Sequence, residues 1–309
     1  MSDEVRQAAD LLVAARRRRQ PLDGLPPALR PPNPAAAFAI QDAVMAQLGE
    51  RAGGWKVGLA PGAAPSCAPM FASLIHPSPL TLPAADVPLL GIEAEIAVRL
   101  GRDLPPRATP YVREDVLAAI DGVCAAIEIV DSRYREFLKC SPDDKLADNV
   151  GNGAFTYAAP IAEWRGLDLS ALRVRLEVGG KTLVDKVGGC PSGDPILAVV
   201  WLANHLTGPL RRPQGRPDRH HRVLHRHAVR QAGRQRHRNL RPSRHGAGHL
   251  HALGGAPPFL DLVDRSLVDG GLVDLGLAAR GRRLAGGASA ASAKPRGGAP
   301  WRWVCHIWA

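Results

Sequence analysis

The sequence predicts a mixed α/β fold, on three observations. Residues 91–100 alternate strictly, with Ile92, Ala94, Ile96, Val98 and Leu100 on one face and Glu93 and Glu95 on the other, the period of a strand. Apolar residues recur at helical spacing over 5–19, 35–48, 110–124 and 196–206. No apolar run reaches the length of a membrane span, and 309 residues give ample core for one large domain or two small ones.

The helix over 5–19 sets Ala8, Leu11, Leu12 and Ala15 on one side and ends in Arg16 to Arg19. Four arginines at a helix C-terminus complement its dipole. A Pro-rich connector, 21–34, leads to the helix over 35–48, expected to bury Phe38, Val44 and Leu48. Residues 53–58 read as a turn and a short strand, in which Lys56 between Trp55 and Val57 has the pattern of a solvated strand residue. Residues 61–90 are rich in Pro and Ala and read as a loop carrying His76. After the strand 91–100, the helix over 110–124 aligns Val116, Leu117, Ile120, Val123 and Cys124. The run 126–131 follows, where Ile127 and Ile129 share one face and Glu128 points the other way.

Residues 133–144 are polar and read as a short helix or lid, and Asp148-Asn149 as a turn before a strand. The stretch 169–178 alternates Leu172, Val174, Leu176 and Val178 with charged residues. Gly179-Gly180 then turns it into 181–187 as a hairpin. Asp194 is placed as N-cap, with Pro195 at the first position, of the helix over 196–206.

Two carboxylates adjacent on one strand face repel each other, so they need a partner. A hard divalent cation is the natural one, and a strand–helix–strand unit can bring Glu128 beside Glu93 and Glu95. The alternative is a solvated strand face with Glu128 as a surface charge. The five cysteines are odd in number and lack CxxC spacing, and the N-terminus has no signal-peptide stretch. Both features point to a reduced, cytoplasmic setting.

Glu93-Ala94-Glu95, the segment from Ala126 to Arg133 (Ala-Ile-Glu-Ile-Val-Asp-Ser-Arg), and Ala147-Asp148-Asn149 together resemble the 2-keto-4-pentenoate hydratase family. That family lies in the fumarylacetoacetate hydrolase superfamily and includes 4-oxalocrotonate decarboxylases. Gly54-Trp55-Lys56-Val57-Gly58, Gly193-Asp194-Pro195 and Trp201-Leu202-Ala203-Asn204 match as well, so the resemblance covers roughly 5–206. It implies a rolled β-sheet around a metal site with helices outside, with a helical segment and loop over 1–85 contributing Lys56, and a catalytic core over 86–206. It also implies Mg²⁺ or Mn²⁺ on Glu93, Glu95 and Glu128, with Lys56 and Asp148 catalytic and Lys56 and Asn149 holding substrate. The expected reaction is hydration of a 2-hydroxy-dienoate or 2-keto-4-pentenoate from aromatic-ring breakdown. A 4-oxalocrotonate decarboxylase and an acylpyruvate-type hydrolase are the alternatives. The partners implied are a small 2-keto acid and, in an in-frame relative, further copies of the chain; no nucleic acid or membrane is expected. The chain departs from the pattern at Gly151, where many relatives have serine, and at His76, near the place of a catalytic acid.

The last third reads differently. Residues 1–210 hold 21 Lys+Arg against 24 Asp+Glu, whereas 211–309 hold 19 against 5 and nine of the eleven histidines. Over 211–251 there is no Lys, no Glu and almost no apolar periodicity, so the tract cannot bury a core. Three readings compete: a basic nucleic-acid-binding tail, a His-rich metal site at His220, His221, His225 and His227, and a shifted reading frame. A GC-rich coding of 218–227 moved one base forward yields Thr-x-Thr-Thr-Gly, a Ser-compatible codon, then Cys-Thr-Gly, like the superfamily's late Thr-Gly-rich segment. The expectation is therefore a frameshifted, irregular tail over 207–309, in which 260–277 and 301–308 carry no structural weight.

Overall fold

The computed structural model describes residues 1–207 apart from Leu90, Gly179 and Gly180, together with the backbone of four later strands given below. In chain order the elements are α1 (Asp3–Arg18), α2 (Pro34–Leu48), β1 (Ala52–Gly58), β2 (Ser66–Phe71), β3 (Ile75–Pro77), β4 (Leu80–Pro83), β5 (Gly91–Leu100) and α3 (Arg113–Ala119). They continue with β6 (Ile120–Val130), α4 (Pro142–Ala147), β7 (Asn152–Tyr157), β8 (Arg173–Val178), β9 (Lys181–Val187) and α5 (Pro195–Thr207). The later strands are β10 (Phe259–Val263), β11 (Leu272–Leu275), β12 (Ala278–Arg280) and β13 (Trp303–Ile307). One compact unit comprises Met1–Arg212, Pro258–Ala285 and Ala299–Ala309; a second, Pro213–Pro257 with Gly286–Gly298, lies outside the described residues. His220, His221, His225 and His227, and with them the basic-tail and His-site readings, also lie outside them.

The helices begin and end as their sequences dictate. Ser2 caps α1, its Oγ accepting from the Val5 N–H at 3.3 Å, and Asn33 caps α2 from the Ala36 N–H at 3.0 Å. Arg16, Arg17 and Arg18 occupy the last turn of α1, where the carbonyl end of the dipole favours cations. The two helices pack through Ala8, Leu12, Ile40 and Val44 and close over Phe71 and Tyr134. Asp194 caps α5 as expected, its Oδ1 accepting from the Ile196 N–H at 2.9 Å.

The main sheet has seven strands in the order β2-β1-β13-β5-β6-β7-β3. β5 and β6 form its centre, paired antiparallel from Gly91↔Val130 to Leu100↔Ile120. The expected helix over 110–124 is therefore shorter than its periodicity suggests: α3 stops at Ala119, and Ile120, Val123 and Cys124 belong to a strand. A full-length ladder against β5, buried nearly throughout, outweighs the weak preference of a short segment for helix. The region 61–90 is likewise more regular than a loop. Its prolines are tolerated because β2, with Pro69, and β3, with Pro77, are the two edges of the sheet. β8 and β9 pair antiparallel as expected for a hairpin, their Gly179-Gly180 connection lying outside the described residues.

Within the irregular tail four short strands are described. β10 pairs parallel with β8, β11 antiparallel with β4, and β12 antiparallel with β10. β13 lies between β1 and β5, parallel to one and antiparallel to the other. An open ladder on both neighbours attracts any segment of β propensity, and 303–307 (Trp-Val-Cys-His-Ile) is one. Among the described residues no helix is long and apolar enough to cross a membrane.

Candidate active site

Period-2 alternation and antiparallel register build the site. Glu93 stands directly opposite Glu128 in the β5–β6 ladder, and Glu95 is two residues along the same face. One ligand oxygen from each of the three lies within 4.8 Å of the others. Lys56 arrives from β1, in register through Cys305 of β13 with Ala97 of β5, and so from the same face. Its Nζ sits 2.7 Å from Glu128 Oε2. In a flat sheet β1 and β6 would be about 14 Å apart, three strand spacings. The contact exists because the sheet rolls around these side chains, the architecture the resemblance implied.

Lys56 is buried (2% exposed), not solvated as its local pattern suggested, and Glu95 and Glu128 are equally enclosed. Burial by itself would lower the Lys56 pKa, but the pull of Glu128, Glu93 and Glu95 and the hydrogen bond to Glu128 outweigh it, and the pKa is raised. Glu93 is pushed up by burial and by Glu128, against the opposing pull of Lys56. Glu93 Oε2 is buried with no hydrogen-bond donor among the described residues. Three carboxylates thus share one cation, and the surplus negative charge with an unfilled oxygen suits a hard divalent ion. The residues present fit such an ion.

Two residues that sequence reasoning missed complete the site. Asn152 donates from Nδ2 to Glu128 Oε1 at 3.0 Å, and the Val150 carbonyl accepts from Lys56 Nζ at 2.9 Å. That carbonyl is aimed by strained backbone: Asn149, Val150 and Gly151 are all left-handed, with φ of 55°, 50° and 70°. For a β-branched valine this conformation is a genuine outlier of the kind found at functional sites. At Gly151 a Cβ would meet Phe137 Cζ at 3.0 Å and Val130 Cγ1 at 3.2 Å. Glycine here is therefore matched to this turn, and the relatives' serine would be crowded. The one sequence signal was an asparagine between two glycines at a strand start.

Asp148 and Asn149 fall in a neighbouring network instead. The Asp148 carboxylate accepts from Ser132 Oγ at 2.8 Å, from the Arg133 N–H at 2.9 Å and from Arg133 Nε. Arg133 also donates to the Asp148 carbonyl at 3.0 Å and the Asn152 carbonyl at 3.3 Å. Both carboxylate oxygens are engaged, and Asp148 fixes the 149–152 turn. Asn149 Nδ2 donates to the Pro69 carbonyl at 3.2 Å, tying the same turn to β2. His76 lies half-buried on the edge strand β3.

No family model matches the chain. Over 219 residues it is 31% identical to the 2-keto-4-pentenoate hydratase of Paraburkholderia phymatum, covering 67% of this chain and 82% of that protein. The chain belongs to the 2-keto-4-pentenoate hydratase family. The 2-keto-4-pentenoate hydratase 3 of Pseudomonas putida is also 31% identical, over 66% of this chain and 80% of its own. Among solved structures, the 4-oxalocrotonate decarboxylase of Pseudomonas putida G7, complexed with calcium and acetate, superposes with a TM-score of 0.55. It is 22% identical and covers 67% of this chain and 82% of that one. At that identity it shows the fold.

Proposed function

We propose that the chain is a hydro-lyase that adds water to a 2-hydroxy-dienoate or 2-keto-4-pentenoate, in the breakdown of aromatic compounds, with Mg²⁺ or Mn²⁺ held by Glu93, Glu95 and Glu128. Membership of the hydratase family supports the reaction class. The carrying observation is the cluster of three carboxylates around one buried cation, Lys56. A bound divalent ion would supply Lewis-acid stabilisation of negative charge developing on the substrate's keto-acid oxygens. Lys56, whose pKa the carboxylates raise, suits holding an anionic oxygen or carboxylate. Val150 and Asn152 fix Lys56 and Glu128, and Asp148 and Asn149 hold the turn that carries both. An odd number of cysteines without CxxC spacing supports a reduced, cytoplasmic setting. A homo-oligomer rests on the family resemblance.

Incubation with 2-hydroxypenta-2,4-dienoate and with 4-oxalocrotonate tests the reading. The expected result is Mg²⁺-dependent loss of dienoate absorbance without CO₂ release. CO₂ from 4-oxalocrotonate alone would make it a decarboxylase, and full turnover in EDTA would overturn the metal assignment.

We further propose that residues from about 207 onward arise from a change of reading frame. The charge break, the Arg/His excess without lysine, and the Thr-Gly segment recovered by a one-base shift support this. Because β13 sits between β1 and β5, a C-terminal strand belongs in that slot whichever frame supplies it. Sequencing the gene across the codons for 201–216 tests the proposal. An intact frame, with an active protein whose mass matches all 309 residues, would contradict it.

A further inference from the structure

A cavity of about 280 Å³ lies between the last turn of α1, Phe71 and Gly153. Neither Lys56 nor any of Glu93, Glu95 and Glu128 is in its wall. The last turn of α1 turns one arginine into it. Arg16, which the sequence offered as a dipole-complementing surface charge, is half-buried there, its guanidinium 5.1 Å from the centre of the Phe71 ring. Its Nη2 donates to the Asn152 carbonyl at 3.2 Å, the guanidinium's only hydrogen bond among the described residues. The other charged residues of the wall have partners: Arg19 pairs with Asp86 at 2.6 Å, Arg133 with Asp148, and Glu50 accepts from Ser73 Oγ at 2.5 Å. Asp131 accepts from the Leu89 N–H at 3.3 Å and lies 3.9 Å from Arg133. Of the wall's three arginines, Arg16 alone has no carboxylate at ion-pair distance among the described residues.

We propose that this cavity binds a small monocarboxylate, ligated by the Arg16 guanidinium. A guanidinium with free N–H groups matches the two oxygens of a carboxylate, and Phe71, Pro21 and Leu74 give the remaining wall an apolar surface for a short carbon chain. Glu50, Asp86 and Asp131 in the same wall limit the ligand to a single negative charge. A phosphate dianion would face Glu50, Asp86 and Asp131 across the same space. Burial, with Arg133 adding to it, pulls the Arg16 pKa down to about 9 despite the opposing pull of Asp148, Asp131 and Glu50. That is a cation short of a counter-ion, which a bound carboxylate would provide.

Equilibrium dialysis of radiolabelled acetate, with pyruvate as competitor, against the full chain in EDTA tests this. EDTA keeps divalent ions from the carboxylate cluster, and Lys56→Met removes that site's own cation. Wild type and Lys56→Met are expected to bind acetate saturably with similar affinity. Arg16→Gln should weaken binding by about tenfold or more, the loss of one charge-assisted contact. Ser73→Phe, at an exposed rim position, should block the cavity without touching Arg16, and it decides the matter if Arg16→Gln fails to fold. Undiminished binding in Ser73→Phe or in folded Arg16→Gln would overturn the proposal. So would loss in Lys56→Met alone, tighter binding of inorganic phosphate than of acetate, or no saturable binding by wild type.

Discussion

Two clusters of buried charge lie on either side of the 149–152 turn, and they are balanced in opposite ways. Arg133 and Asp148 pair with each other, and both oxygens of the Asp148 carboxylate accept hydrogen bonds. Around Lys56 one cation faces three carboxylates, and a buried oxygen of Glu93 has no donor among the described residues. Burying ions costs free energy that only good pairing returns. The saturated cluster therefore explains itself as structure, whereas the unsaturated one makes physical sense with a ligand present. Residue type does not separate them, since both contain acids and a base; the count of partners does.

The largest expected effect belongs to the unsaturated cluster. Glu93→Gln, Glu95→Gln and Glu128→Gln should each lower Mg²⁺- or Mn²⁺-dependent turnover by about a thousandfold or more, with the far-ultraviolet circular dichroism unchanged. Wild-type rates in all three would erase the distinction between the clusters.

The saturated cluster should respond in stability instead. Asp148→Asn leaves Arg133 buried without its counter-charge and should cost about 3 kcal/mol, measured by urea unfolding at neutral pH. A variant as stable as wild type would mean that the network does not hold the turn.

Lys56→Met should lower turnover by about tenfold to a hundredfold, the loss of one charge-assisted contact to an anionic oxygen. It leaves three carboxylates without a cation, so the variant should melt below wild type in EDTA and recover on adding Mg²⁺. Recovery no greater than that of wild type would sever Lys56 from the acids.

The smallest effect is a pH slope. The folded-state pKa of Glu93 is raised, so the folded chain holds a proton on Glu93 that the unfolded chain has released. In EDTA, its contribution to stability is present below the ordinary carboxylate pKa and lost as pH rises through the raised one. The melting temperature of Glu93→Gln should lack that fall. An identical slope in the variant would place the titration elsewhere.

Much of the metal-ligand set was legible because strand alternation separates polar from apolar positions. Glu93, Glu95 and Glu128 interrupt runs of Ile, Val and Ala where only a buried or a solvated face can lie. The extent of β6 was not legible, since Val116, Ile120, Val123 and Cys124 satisfy helical spacing while β5 supplies a longer ladder. Nor were Asn152 and Arg16. Their bonds join positions 24 and 136 residues apart in the chain, and no local pattern records such a pairing. Asp148 was visible as a residue, but its role is set by Arg133, which only the fold brings to it.

The central claim is that the surplus charge at Glu93, Glu95 and Glu128 is a divalent-ion site while the Arg133–Asp148 cluster is not. Mn²⁺ binding to the full chain, followed by electron paramagnetic resonance of the free ion, tests it most directly. The account predicts one saturable site per chain, lost in Glu128→Gln and kept in folded Asp148→Asn. Binding that survives in Glu128→Gln, or none in wild type, would contradict it.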